Sequence, residues 1–129
     1  EIEIQKTKFL ARINKNGKIY IVGSNGKFSE NNHLNKNLPY IFGNPDIDQF
    51  LYFKKIIDDS NLAYDQIKKL YFFKSKRWDL ELNNNIVIKL PNKVSKDFLN
   101  NVFIFLKNNN SDNLSIIDAR VKNQIIVNE

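Results

Sequence analysis

The groups able to do acid–base, nucleophilic or metal chemistry are few and poorly placed for it. His33 is the only histidine. It stands in an asparagine-rich run with no Asp or Glu cluster beside it, so a surface histidine is expected rather than a base or a ligand. Cysteine is absent, which excludes disulfides, thiolate nucleophiles and Cys-based metal sites. Asp46 with Asp48, and Asp58 with Asp59, are carboxylate pairs. Both fall at expected helix ends, where capping and solvated charge account for them. No serine has a nucleophile-elbow context, and "GSNGK" lacks the spacing of a phosphate-binding loop. No enzymatic activity, metal or cofactor is therefore expected, and function has to come from a surface.

The charge balance gives little help. The chain has 129 residues and a net charge of +6, which invites a nucleic-acid reading. Its basic residues are nearly all lysine, with Arg12, Arg77 and Arg120 the exceptions, and they are scattered along the chain. Phosphate readers favour bidentate arginine forks. Asparagine fills about a sixth of the chain, an excess over average usage of the kind an AT-rich genome produces. No nucleic-acid partner is expected. No window approaches the roughly 18 consecutive apolar residues of a membrane helix. The chain begins at Glu1 rather than methionine and is read as a piece of a longer protein.

The elements that must build the surface follow from local patterns. "FLARI" and "GKIYIVG" are strands joined by the polar turn Asn14 to Gly17, and "GSNG" supplies a second turn. Ser29 to Asn37 is expected to be a surface loop, before "LPYIFG" returns an apolar patch to the core. Asn44 and Pro45 are the expected cap and first residue of a helix. Its buried face is Ile47, Phe50, Leu51, Phe53, Ile56 and Ile57, and it fades at Asp58 to Ser60. A strand runs from Ile67 through "KKLYFF". In "RWDLEL", Trp78, Leu80 and Leu82 share the core face, while Arg77, Asp79 and Glu81 face away. Ile86, Ile88 and Leu90 repeat the core parity after a turn at Asn83 to Asn85, where asparagine tolerates a left-handed conformation. Ser95 caps a second helix with Phe98, Leu99, Val102, Phe103, Phe105 and Leu106 on its apolar face, ending at Asn108 to Asn110. "LSIIDARV" and "QIIVN" close the chain as two strands around Lys122 and Asn123. The sum is one α+β domain, a mainly antiparallel sheet with two principal helices packed on it.

The ordered set "LPYIFG", helix, "RWDLELNNNIVIKLP", helix, "IIDARV" resembles the β domain of the bacterial cell-division family FtsQ/DivIB. The resemblance spans essentially all of residues 1–129, with residues 1–5 matching the end of a preceding POTRA domain. Three positions depart from the family pattern. Asn85 stands where glycine is usual, Ala119 replaces a leucine, and Val121 is aliphatic where some relatives are aromatic. The resemblance implies a non-enzymatic scaffold at the division septum. Its parent protein would be anchored in the inner membrane by a single upstream helix, with this domain on the periplasmic side. The implied partners are FtsB, FtsL and other divisome proteins, through which septal wall synthesis is recruited or regulated. The residues alone leave two other classes open: a POTRA-like domain of an outer-membrane assembly or transport protein, and a basic nucleic-acid-binding domain.

The family's β domain receives FtsB by strand addition at its final strands. "ARVKNQIIVN" suits that role, being strand-prone and free of proline. An exposed edge offers main-chain bonds for affinity and alternate side chains for specificity. The expected receiving segment is Arg120, Val121, Lys122, Asn123, Gln124, Ile125, Ile126, Val127 and Asn128. Arg120 would register a partner carboxylate and Ile126 an apolar contact. Proline at Ile126 is expected to abolish binding while leaving the fold intact. The plainer alternative is a strand that completes the sheet, with Ile125 and Val127 buried and Arg120 paired to Asp118. Trp78, sharing parity with Leu80 and Leu82, is expected in the core.

Overall fold

One row of side chains crosses six adjacent strands of the sheet: Ile13, Ile41, Leu70, Leu80, Ile88 and Ile117 stand opposite one another in register. All six are buried. A computed structural model describes residues 8–30, 37–108, 115–120 and the backbone of 126–128. The strands are β1 (Phe9–Lys15), β2 (Lys18–Gly23), β3 (Phe28–Glu30), β4 (Tyr40–Phe42), β5 (Ile67–Phe72), β6 (Trp78–Leu82), β7 (Val87–Lys89), β8 (Ile116–Asp118) and β9 (Ile126–Asn128). Helix α1 (Ile47–Asp59) lies between β4 and β5, and α2 (Lys96–Asn108) between β7 and β8. The described strands form a single sheet in the order β3-β2-β1-β4-β5-β6-β7-β8-β9.

Five of its pairings are antiparallel: β1–β2, β2–β3, β5–β6, β6–β7 and β8–β9. Three are parallel: β1–β4, β4–β5 and β7–β8. The sheet is thus mainly antiparallel, as expected, and both helices are crossovers between parallel neighbours. Strands β4, β5, β7 and β8 run in one direction, and both crossovers advance the same way across the sheet. Right-handed crossovers of that kind place their helices on the same face. Phe50, Phe53 and Ile57 of α1, with Leu99 and Val102 of α2, therefore join the buried row in one core.

Local chemistry fixes the turns. Asn16 and Gly17 have φ of 56° and 88°, the two left-handed residues of a tight hairpin. Asn85 has φ 71° at the third position of the β6–β7 loop, where Leu82 N–H donates to the Ile86 carbonyl at 2.9 Å. Asparagine thus fills the position at which a three-residue hairpin loop favours glycine. Ser95 caps α2, its Oγ accepting from Phe98 N–H at 3.1 Å.

Several expectations are corrected. Helix α1 starts after Asp46, not Asn44. Gln49 lies three residues on and its Oε1 accepts from Asp46 N–H at 2.8 Å, the return half of a capping box. Asn44 instead receives Lys15 Nζ at 2.7 Å. Ser29 and Glu30 belong to β3, paired to β2, so the expected loop begins later; 31–36 lie outside the described residues. "LPYIFG" contributes β4, an interior strand between β1 and β5. Asp79, expected to face solvent, is 5% exposed, because Arg77 folds over it and donates to its Oδ1.

Candidate strand-receiving edge

Among the described residues, sheet order makes β9 a terminal strand, and hydrogen-bond direction shows which of its backbone groups face away from β8. Val87 N–H donates to the Ser115 carbonyl, and Ala119 N–H to the Lys89 carbonyl, each at 2.9 Å. Odd-numbered residues of β8 therefore face β7. Backbone groups alternate sides along a strand, so Ile116 and Asp118 face β9. Their register partners are Asn128 and Ile126, while Ile117 stands opposite Val127. Ile126 and Asn128 thus bond inward to β8, and the N–H and C=O of Val127 point away from the sheet. Proline at Ile126 would strike the β8–β9 ladder, contrary to the sequence-based expectation. Val127 carries the outward pair.

On the sheet face opposite the buried row, Asp79, Lys89 and Asp118 lie in register across β6, β7 and β8. Arg77 holds Asp79 at one end of this charged row, and Arg120 holds Asp118 at the other. Arg120 Nε donates to Asp118 Oδ1 at 2.8 Å and Nη2 to Oδ2 at 2.6 Å, a bidentate fork. The Arg120 backbone N–H adds a third bond to Oδ1 at 3.1 Å. These bonds to Arg120 hold the Asp118 carboxyl well below its ordinary value, at about 2, with Lys89 adding to the effect. Burial acts oppositely on Asp79, raising its pKa despite Arg77, the Leu90 backbone and Lys89.

Of the nine residues expected to receive a partner, the structure brings Arg120 and the backbone of Ile126, Val127 and Asn128 to one margin. Val121, Lys122, Asn123, Gln124 and Ile125 lie outside the described residues, as does His33. The expected pairing of Arg120 with Asp118 is present. Trp78 is buried, stacked on Phe53 at 4.8 Å between ring centroids. No group of three or more His, Asp or Glu able to hold a metal occurs among the described residues. Sequence reasoning missed the opposite margin, β3, whose three residues are all exposed. Its signal is a three-residue alternation, "FSE", too short to distinguish from loop.

The architecture defines an α+β domain whose sheet carries two helices on one face and, among the described residues, ends in the terminal strand β9. The family model for the cell-division protein FtsQ/DivIB, C-terminal, matches residues 11–120, and the chain belongs to that family. The match stops at Arg120, so β9 lies beyond it. The fold is similar to the major extracytoplasmic domain of the trans isomer of the bacterial cell-division protein DivIB from Geobacillus stearothermophilus. The TM-score is 0.55 at 10% identity, over 80% of this chain and 91% of that one. No curated protein matches the chain.

Proposed function

We propose that this domain is a non-enzymatic divisome scaffold that takes up an extended segment of FtsB at β9, with FtsL and other divisome proteins in the same assembly. In this reading the parent protein is anchored in the inner membrane by an upstream helix. The domain stands on the periplasmic side at the septum and helps recruit or regulate septal wall synthesis. Residues 1–5 are then the end of a POTRA domain, and residues 120–128 form the receiving segment. Family membership supports the divisome role. The observation that carries the site is the terminal position of β9, whose register leaves the Val127 N–H and C=O without a strand beside them among the described residues. An added strand satisfies such groups at once. Arg120 spends two of its five N–H donors on Asp118, leaving others for a partner carboxylate.

The test is amide hydrogen exchange on the domain with and without a synthetic FtsB extracytoplasmic segment from the same organism. Val127 N–H should gain strong protection on binding, while Ile126 and Asn128, already bonded inward, should change little. Binding without protection at Val127 would remove β9 as the site.

A further inference from the structure

A second surface lies away from β9, on the helix-bearing side of the sheet. Along α1, Gln49, Tyr52, Phe53 and Ile56 recur at helical spacing and form one wall of an open groove. The segment 92–94, between β7 and α2, forms the other. Phe72 and Trp78 line its base, and the volume is about 410 Å³. The base is firmly built: Phe53 stacks on Trp78 at 4.8 Å with 9° between planes, and Phe72 tilts against it at 4.7 Å. Tyr52 at the lip is 71% exposed, the most of any large apolar or aromatic side chain among the described residues.

The groove's charge is one-sided. Lys76 and Lys93 line it, and no Asp or Glu among the described residues does. Neither lysine forms an ion pair among the described residues. Lys76 sits in a tight turn, with φ 68° and its N–H on the Phe73 carbonyl at 2.8 Å, so the backbone that carries it is fixed. Gln49 and Asn92 add side-chain amides able to bond a peptide backbone. From Gln49 to Ile56 the helix rises about 10 Å, the length of roughly three residues of extended chain.

We propose that this groove docks a short acidic peptide segment of a partner protein, seating one aromatic side chain against the exposed Tyr52 ring over the Phe72–Trp78 floor, with flanking carboxylates on Lys76 and Lys93. The stated chemistry follows from charge complementarity around an aromatic floor, and it goes beyond the strand-receiving role of β9. Trp78 is the chain's only tryptophan, so its emission reports occupancy directly. The probe is the acetylated and amidated peptide Glu-Asp-Phe-Glu-Asp, compared with its neutral analogue Gln-Asn-Phe-Gln-Asn.

The acidic peptide should change Trp78 emission saturably and weaken with added salt. The neutral analogue should bind about tenfold more weakly, as should the acidic peptide to the Lys76→Glu/Lys93→Glu double variant. Both lysines are exposed, so the variant should fold, which an unchanged melting curve verifies. Amide shifts on binding should centre on Gln49 to Ile56 and on 92–94. The proposal is overturned by no saturable change, by equal binding of the neutral peptide, by an unaffected double variant, or by shifts centred on β9. It is equally overturned if anionic phosphatidylglycerol vesicles, but not the peptide, perturb Trp78. Concentration-dependent dimerisation abolished by Tyr52→Ser would assign the groove to a second copy instead.

Discussion

Two proline substitutions one residue apart should separate the free edge of β9 from its docked edge. Val127→Pro deletes the single outward N–H that the register defines. The lost main-chain bond is worth about 0.5–1.5 kcal/mol net, and the partner carbonyl left unpaired inside the new ladder costs about 1–3 kcal/mol. The sum, about 1.5–4.5 kcal/mol, weakens partner binding roughly 10- to 2000-fold. The described sheet loses no bond, so the thermal midpoint should stay within about 2 °C of the parent. Ile126→Pro deletes a donor that faces Asp118 on β8. It should instead lower hydrogen-exchange protection at Ile116 and Asp118, the β8 residues that face β9, and reduce binding only through loss of a docked β9. Calorimetric titration with the FtsB segment, run beside thermal melts, checks both. Unchanged affinity in Val127→Pro, or an undisturbed β8–β9 pair in Ile126→Pro, would refute the backbone parity and the site built on it.

Gly43→Ala should destabilise the domain by about 2–5 kcal/mol in chemical denaturation. Gly43 has φ 99°, and an added Cβ would overlap the Phe72 carbonyl oxygen and stand 3.2 Å from Phe72 Cβ, forcing β4 away from β5. Arg77→Met strands the buried Asp79 carboxylate and should cost about 3–5 kcal/mol at neutral pH. Because burial raises the folded-state pKa of Asp79 above its unfolded value, that penalty should shrink as pH falls and the carboxyl protonates. A flat pH profile for the variant would count against this account. Asp118 has the opposite sign: its folded pKa is lowered to about 2 from an ordinary 3.8. Its contribution is present above the unfolded value and is lost as pH falls through about 2. Asn at Asp118 should remove this acid dependence, and a carbon-detected titration midpoint for Asp118 near 4 would contradict the Arg120 fork.

Features written in contiguous residues are legible in the sequence itself. The apolar stripe of α1, the Asn16–Gly17 turn, the left-handed Asn85 and the core parity of Trp78, Leu80 and Leu82 all follow from local chemistry. Parallel pairing is not legible in this way. Strand β4 is three residues long, too short to show a period, and its place between β1 and β5 is set by parallel pairing to a distant strand on each side rather than by its own sequence. Asp79 misleads for a related reason. Alternation puts it on the sheet face away from the apolar core, but Arg77, two residues away on the same face, covers it and keeps it from solvent. The groove at Trp78 is invisible in the sequence because it joins residues 49–56 with 72–78 and 92–94, segments that only tertiary structure brings together. At the candidate site, the segment is legible as strand-prone. Which backbone groups it leaves free depends on its register against Ile116 to Asp118, which no local pattern encodes.

The two margins of the sheet differ in how they are defended, and the difference bears on which one receives a partner. An unprotected edge invites promiscuous pairing, so charged residues usually blunt edges that have no binding role. Strand β3 shows such protection: Glu30 ends it beside Lys18 on β2 at 3.9 Å, and Lys15 lies over the Phe28 ring at 5.1 Å. Strand β9 consists of Ile126, Val127 and Asn128, with no charge and no proline to block a ladder. The charged row behind it ends at Arg120, whose own partner Asp118 lies in register with Ile126. A strand added at β9 therefore meets a strand without charged residues, flanked by the Arg120–Asp118 pair. A strand added at β3 meets charged side chains already paired or stacked. Ile126→Lys, at the register position of Asp118 on the face away from the buried row, should make the two margins alike and abolish uptake at β9, and retained binding would show that edge protection does not decide the choice.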